Sequence, residues 1–106
     1  MNGLDEMLYA PAPLKIEYVK ALSELLEWCN ILNVEIESVH AYMYGFRVTF
    51  KGVDGDAICH ENSYGHPEYW ESYKMPWDED DVSTNTAQEL VRKIAAMLSG
   101  RDWRSV

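Results

Sequence analysis

The chain has 106 residues, 47% of them apolar and 25% charged, with a net charge of −9. That length suits one domain around one packed core and is too short for two. The charge disfavours binding to nucleic acid or anionic membranes, and no run approaches the ~18 uninterrupted apolar residues of a membrane-spanning helix.

The opening residues, Met1 to Glu6, lack the basic and apolar regions of a secretory signal. The two cysteines, Cys29 and Cys59, sit inside patterned segments rather than in a disulfide framework. The expectation is a cytoplasmic protein with two reduced, buried thiols. Residues 1–13 end in Ala10-Pro11-Ala12-Pro13, which reads as a flexible, extended lead-in. A single domain over residues 14–100 and a tail over 101–106 complete the expected organisation.

From about Leu14 a helix is predicted to run to Asn30–Asn33. Tyr18, Leu22, Leu25, Leu26, Cys29 and Leu32 recur at spacings of three and four and form its buried stripe. Lys20, Glu24 and Glu27 occupy the opposite side. From Val34 to Asn62 the apolar period becomes two, the pattern of strands. Tyr44-Gly45 and Asp54-Gly55 read as two-residue hairpin turns. They set Met43 opposite Phe46, Ala41 opposite Val48, Val39 opposite Phe50, and Phe50 opposite Cys59. A longer second turn would place Ile58 on the core face instead. Residues 68–74 have the form of a fourth strand between Pro67 and Pro76. Thr86-Ala87-Gln88-Glu89 is a capping box for a last helix with Leu90, Val91, Ile94, Met97 and Leu98 buried and Gly100 just past its end. The expected fold class is α+β: an N-terminal helix, an antiparallel meander of three or four strands, and a C-terminal helix, both helices on one sheet face.

The charge is not spread evenly. Between Gly52 and Val91 lie ten acids, Asp54, Asp56, Glu61, Glu68, Glu71, Asp78, Glu79, Asp80, Asp81 and Glu89, against Lys74 alone. This window carries the entire −9, and the rest of the chain holds eight acids and eight bases. The same window holds Tyr64, Tyr69, Trp70, Tyr73 and Trp77. Tyrosine and tryptophan with a polar rim are interface anchors, and carboxylates around them steer a basic partner. The structural alternative is that Trp70 and Trp77 close the core while the acids are solvated. The favoured reading is a non-catalytic protein-binding surface formed by Asp54, Asp56, Glu61, Glu68, Tyr69, Trp70, Glu71, Trp77, Asp78, Glu79, Asp80 and Asp81.

Catalytic chemistry is less well supported. Cys59 and His60 are adjacent on a strand, so their side chains point to opposite faces and neither activates the other. The predicted register sets His40, Thr49 and His60 in one row of the outer face, with Tyr42 and Arg47 in the next. Histidines in such a row suit the acid and base of a small hydrolase or ribonuclease, although a solvated polar face is the ordinary reading. Histidines 60 and 66 and the acids of the window supply metal-ligand types without a recognised spacing, so no metal and no cofactor are expected. A third reading is a structural protein that forms homodimers through the aromatic loop.

Residues 54–60 (Asp-Gly-Asp-Ala-Ile-Cys-His), Ser63-Tyr64-Gly65, Trp70-Glu71 and 76–82 (Pro-Trp-Asp-Glu-Asp-Asp-Val) resemble segments of short acidic proteins of bacterial viruses and prophages. The resemblance spans residues 54–82 and carries no established activity. By size and charge it implies an anti-CRISPR-like inhibitor in the host cytoplasm that occupies a basic surface, such as the nucleic-acid groove of a nuclease, by charge mimicry. It implies no direct contact with nucleic acid or membrane.

Overall fold

The elements follow in the order α1 (Ile16–Leu32), β1 (Ile36–Tyr42), β2 (Gly45–Phe50), β3 (Asp56–His60), β4 (Tyr69–Tyr73), β5 (Thr84–Thr86) and α2 (Ala87–Leu98), then a 3-10 turn over Trp103–Ser105. The computed structural model describes residues 10–60, 69–78 and 84–105. The strands form one antiparallel sheet in sequence order. The class is therefore α+β as expected, with five strands rather than three or four. The additional strand, Thr84–Thr86, is three polar-looking residues that no hydrophobic period marks.

Both helices form because an apolar stripe needs a sheet to cover. Tyr18, Ala21, Leu25 and Cys29 of α1 are buried, as are Ala87, Leu90, Val91, Ile94 and Ala96 of α2. Leu26 and Leu98, expected in these stripes, are 46% and 44% exposed. Each lies one residue beyond a better-placed neighbour, about 100° further round the helix. Asn33 ends α1 in the left-handed conformation at φ 58°, which asparagine tolerates. The capping box of α2 forms as read: Thr86 Oγ1 accepts from the Glu89 N–H at 3.3 Å, and Glu89 Oε1 accepts from the Thr86 N–H at 3.4 Å. At the other end the Gly100 N–H reaches the Met97 carbonyl and the Arg101 N–H reaches that of Ala96, a Schellman closure.

The inward faces of β2 and β3 are as expected, but Val39 and Met43 of the expected apolar face are 42% and 51% exposed, and the rows differ. Phe46, Val48, Phe50, Ala57 and Cys59 are fully buried on the helix side. Yet Phe46 stands opposite Ala41 and Cys59, rather than opposite Met43. The first hairpin turns at Met43-Tyr44, and the second turns through Gly52, at φ 79°, with the Val53 N–H bonded to the Phe50 carbonyl at 3.2 Å. Both slips are by even numbers of residues, which preserves the inward set. The two glycines read as turn residues serve another purpose. A Cβ on Gly45 would stand 2.4 Å from the Cys59 carbonyl oxygen and 2.6 Å from His60 Cβ. One on Gly55 would stand 2.6 Å from Met75 Sδ. Both are sites of close approach.

The chain ends are tied in more than the sequence suggests. Pro11 bridges to Tyr42, and the Ala12 N–H donates to the Ala41 carbonyl at 3.0 Å. Residues 10–13 thus lie along β1, while residues 1–9 of the lead-in are outside the described residues. In the tail, the Trp103 ring meets Trp77 edge-on at 5.6 Å, and Lys93 Nζ lies 5.5 Å from the Trp77 ring.

Replacing Gly45 with alanine should destabilise the domain by about 1–3 kcal/mol, because backbone rather than a flexible side chain blocks the site. Thr86→Ala should cost about 1 kcal/mol by removing the cap. Urea unfolding midpoints compared with the parent chain check both.

Candidate functional site

Strand β4 decides which aromatic residues can meet a partner. A strand sends alternate side chains to opposite faces. Trp70 and Ser72 point into the core with no exposed surface. Tyr69, Glu71 and Tyr73 therefore share the outer face, on which neither helix lies. Tyr73 is 50% exposed, and Tyr69 and Glu71 are half-buried.

This overturns the placement of Trp70 and Trp77 as surface anchors. Trp70 packs edge-on against Phe46, with ring centroids 5.1 Å apart. Trp77 is 9% exposed, and its Nε1 donates to Ser72 Oγ at 3.1 Å. Ser72 Oγ in turn donates to Asp78 Oδ1 at 2.7 Å, and Asp78 Oδ2 accepts from the Met75 N–H at 3.0 Å. Asp78 is thus the closing residue of the 75–78 turn and is half-buried. Tryptophan and aspartate suit this network because indole donates and carboxylate accepts where a buried polar atom must be paired. Among the described residues, two buried side-chain donors, Trp70 Nε1 and Asn85 Nδ2, have no acceptor. They belong to residues directly opposite each other on β4 and β5.

The remaining carboxylates divide by position. Asp54 is exposed at the β2–β3 turn, and Asp56 lies opposite Tyr73. Glu71 Oε2 is 2.8 Å from His60 Nε2, with their side chains 19% and 23% exposed. Lys74 Nζ sits 5.6 Å from the Tyr73 ring. Glu61, Glu68, Glu79, Asp80 and Asp81 lie outside the described residues, as do Tyr64 and His66.

The two histidines share the outer face but not a row. His40 is opposite Arg47, which is opposite Ile58; His60 is opposite Gly45, which is opposite Tyr42. Thr49 pairs with Ser38 and Asp56. Two strands and one row separate the histidine backbones, about 12 Å from the strand spacing and rise. His40 instead neighbours Tyr42, with ring centroids 6.4 Å apart. The structure therefore brings together His60 with Glu71 and His40 with Arg47 and Tyr42, but not His40 with His60.

Both cysteines are buried, and neither is in a disulfide. Burial pushes the Cys29 thiol up to about 11, which suppresses the thiolate. Cys59 faces the core and His60 the outer side, so no thiol–imidazole pair forms. Among the described residues, no three His, Cys, Asp or Glu side chains converge as a metal site requires. No helix among them is long and apolar enough to cross a membrane.

No protein-family model, no curated protein and no solved structure matches the chain. What sequence reasoning missed is Tyr73, and the signal was present. Once Trp70 is assigned to the core, period two places residues 69, 71 and 73 together on the other side.

Trp70→Ala should destabilise the fold by about 3–5 kcal/mol, whereas Tyr73→Ala should change stability by less than about 0.5 kcal/mol; denaturant unfolding of the two variants checks the assignment. The thiols should resist an aromatic disulfide reagent near neutral pH in the native protein and react promptly in denaturant. Because the raised Cys29 value disfavours thiolate in the folded state, stability should fall as pH rises from 9 towards 11. Cys29→Ala should flatten that decline.

Proposed function

We propose that this chain is a non-catalytic protein-binding module that engages a basic surface of a host protein. The observation that supports this reading best is the outer side of β4, where Tyr69, Glu71 and Tyr73 form an aromatic–acid–aromatic row beside Asp56 and near Asp54. A row of this kind combines two features of a specific interface. Tyrosine supplies a large, stiff contact with a polar tip, and carboxylates at its margin attract a cationic partner while repelling anionic ones. The anchors of this reading are Tyr69 and Tyr73, since Trp70 and Trp77 are core residues. Glu71 is held by His60, which fixes it in place at the centre of the row.

The most specific version is inhibition by charge mimicry. Asp54, Asp56 and the neighbouring acids stand in for phosphates on the nucleic-acid groove of a nuclease in the host cytoplasm. The −9 of residues 52–91 supports it, because long-range attraction raises the encounter rate with a basic groove.

The test is capture of the partner from host lysate at low salt, followed by elution with a polyanion such as heparin. Tyr73→Ala combined with Asp56→Lys should weaken capture at least about tenfold, roughly 1.4 kcal/mol, with the fold intact. Raising ionic strength should weaken the parent complex in the same direction. Equal capture by the double variant, or a complex that heparin leaves untouched, would rule the reading out.

A further inference from the structure

The inner side of the β4–β5 seam holds two buried hydrogen-bond donors that the protein itself does not satisfy. Trp70 and Asn85 stand directly opposite each other on the two strands, and they are 0% and 3% exposed. Among the described residues, neither Trp70 Nε1 nor Asn85 Nδ2 meets an acceptor. Turning the amide round does not relieve this. Its Oδ1 accepts from Lys93 Nζ at 2.8 Å, and an ammonium has only hydrogens to offer, so Nδ2 must face elsewhere. The other buried indole is provided for, since Trp77 Nε1 reaches Ser72 Oγ at 3.1 Å.

Buried donors are paired in folded proteins because each gives up its bonds to solvent on folding. Directly opposed residues on antiparallel strands hold their Cβ atoms about 5 Å apart. Both side chains leave the inward face of the sheet, so one acceptor between them satisfies both donors at once.

Enclosure and charge indicate what that acceptor is. The Phe46 ring closes on Trp70 edge-on at 5.1 Å, and α2 packs against both strands. No side chain of another molecule reaches a site with so little exposed surface. An anion is disfavoured as well. Ser72, two residues along the same inward row as Trp70, donates to the Asp78 carboxylate at 2.7 Å, so a negative charge already lies close by. The cation at hand, Lys93, is committed to Asn85 Oδ1 and to the Trp77 ring. What fits is a small neutral molecule with a compact acceptor atom, and water is always available. An internal water needs roughly two to four polar partners, and these donors supply a pair.

We propose that a single internal water lies between β4 and β5 on the side covered by α2, accepting from Trp70 Nε1 and Asn85 Nδ2. It serves the part of the sheet with least apolar support. Strand β5 is three residues long, pairs with β4 alone, and ends on the Thr86 cap of α2. The water fastens this margin to the tryptophan of the core and, through Asn85, to Lys93 on the helix.

A crystal structure of the full chain, grown in bromide at a resolution that shows ordered waters, tests this. Density should lie within hydrogen-bonding distance of both nitrogens and give no anomalous signal at the bromine edge. A bromide signal there would make it an anion site and overturn the proposal. So would empty density, or a protein acceptor at either nitrogen. In solution, the Trp70 indole proton should show cross-relaxation with water of the sign of a long-lived site. Asn85→Leu, which leaves the water one partner, should abolish that contact while the circular dichroism spectrum stays that of the parent. A contact absent from the parent chain, or unchanged in a folded Asn85→Leu variant, would also overturn the proposal.

Discussion

The edge-on contact of Trp70 with Phe46 holds the two halves of the fold in one core. Phe46 receives Tyr18 of α1 on its other side, with ring centroids 5.8 Å apart. The three rings thus join the first helix, the second strand and the fourth. Burying an indole removes about 150–250 Å² from water, on the order of 4–6 kcal/mol before entropy is counted. Few alternatives in a domain of this size could replace it. Because Trp70 must point inward, the strand's period leaves no choice for its neighbours. Tyr69, Glu71 and Tyr73 face outward because Trp70 cannot, so the core determines the composition of the exposed row.

Much of this was readable from the sequence wherever a single local rule decided the outcome. The end of α1, the capping box at Thr86 and the inward set on β2 and β3 each depend on a short-range pattern. The strand rows were not readable, because Tyr44-Gly45 and Asp54-Gly55 have the chemistry of turns whereas Gly45 and Gly55 are needed for lack of a side chain. Whether a glycine supplies a turn or a gap depends on what lies across from it. The fate of Trp77 and Asp78 was hidden for a similar reason. An acidic, aromatic stretch looks like a surface, and the Ser72 hydroxyl that ties Trp77 and Asp78 together comes from a strand with no strong apolar signal. The outer face was legible as a face, but the pairing of His60 with Glu71 required the register.

The division of charge between the two sides of the sheet has a functional implication. Helices α1 and α2 together carry Glu17, Glu24, Glu27 and Glu89 against Lys20, Arg92 and Lys93, nearly balanced, whereas the open face carries tyrosines among carboxylates. On the proposed reading a basic partner would be drawn to the open face, where the aromatic contacts also lie.

The sheet margins set a different limit. On β1 the pairing with β2 is interrupted between Ile36 and Ser38, where Glu37 is the extra residue, and Pro11 bridges to Tyr42 at the far end of the strand. At the opposite margin β5 is only three residues long. A bulge, a proline and a short strand are the features that deny a neighbouring chain a continuous row of backbone donors and acceptors. Among the described residues, both margins of the sheet therefore offer another chain only short or interrupted stretches of backbone to pair with.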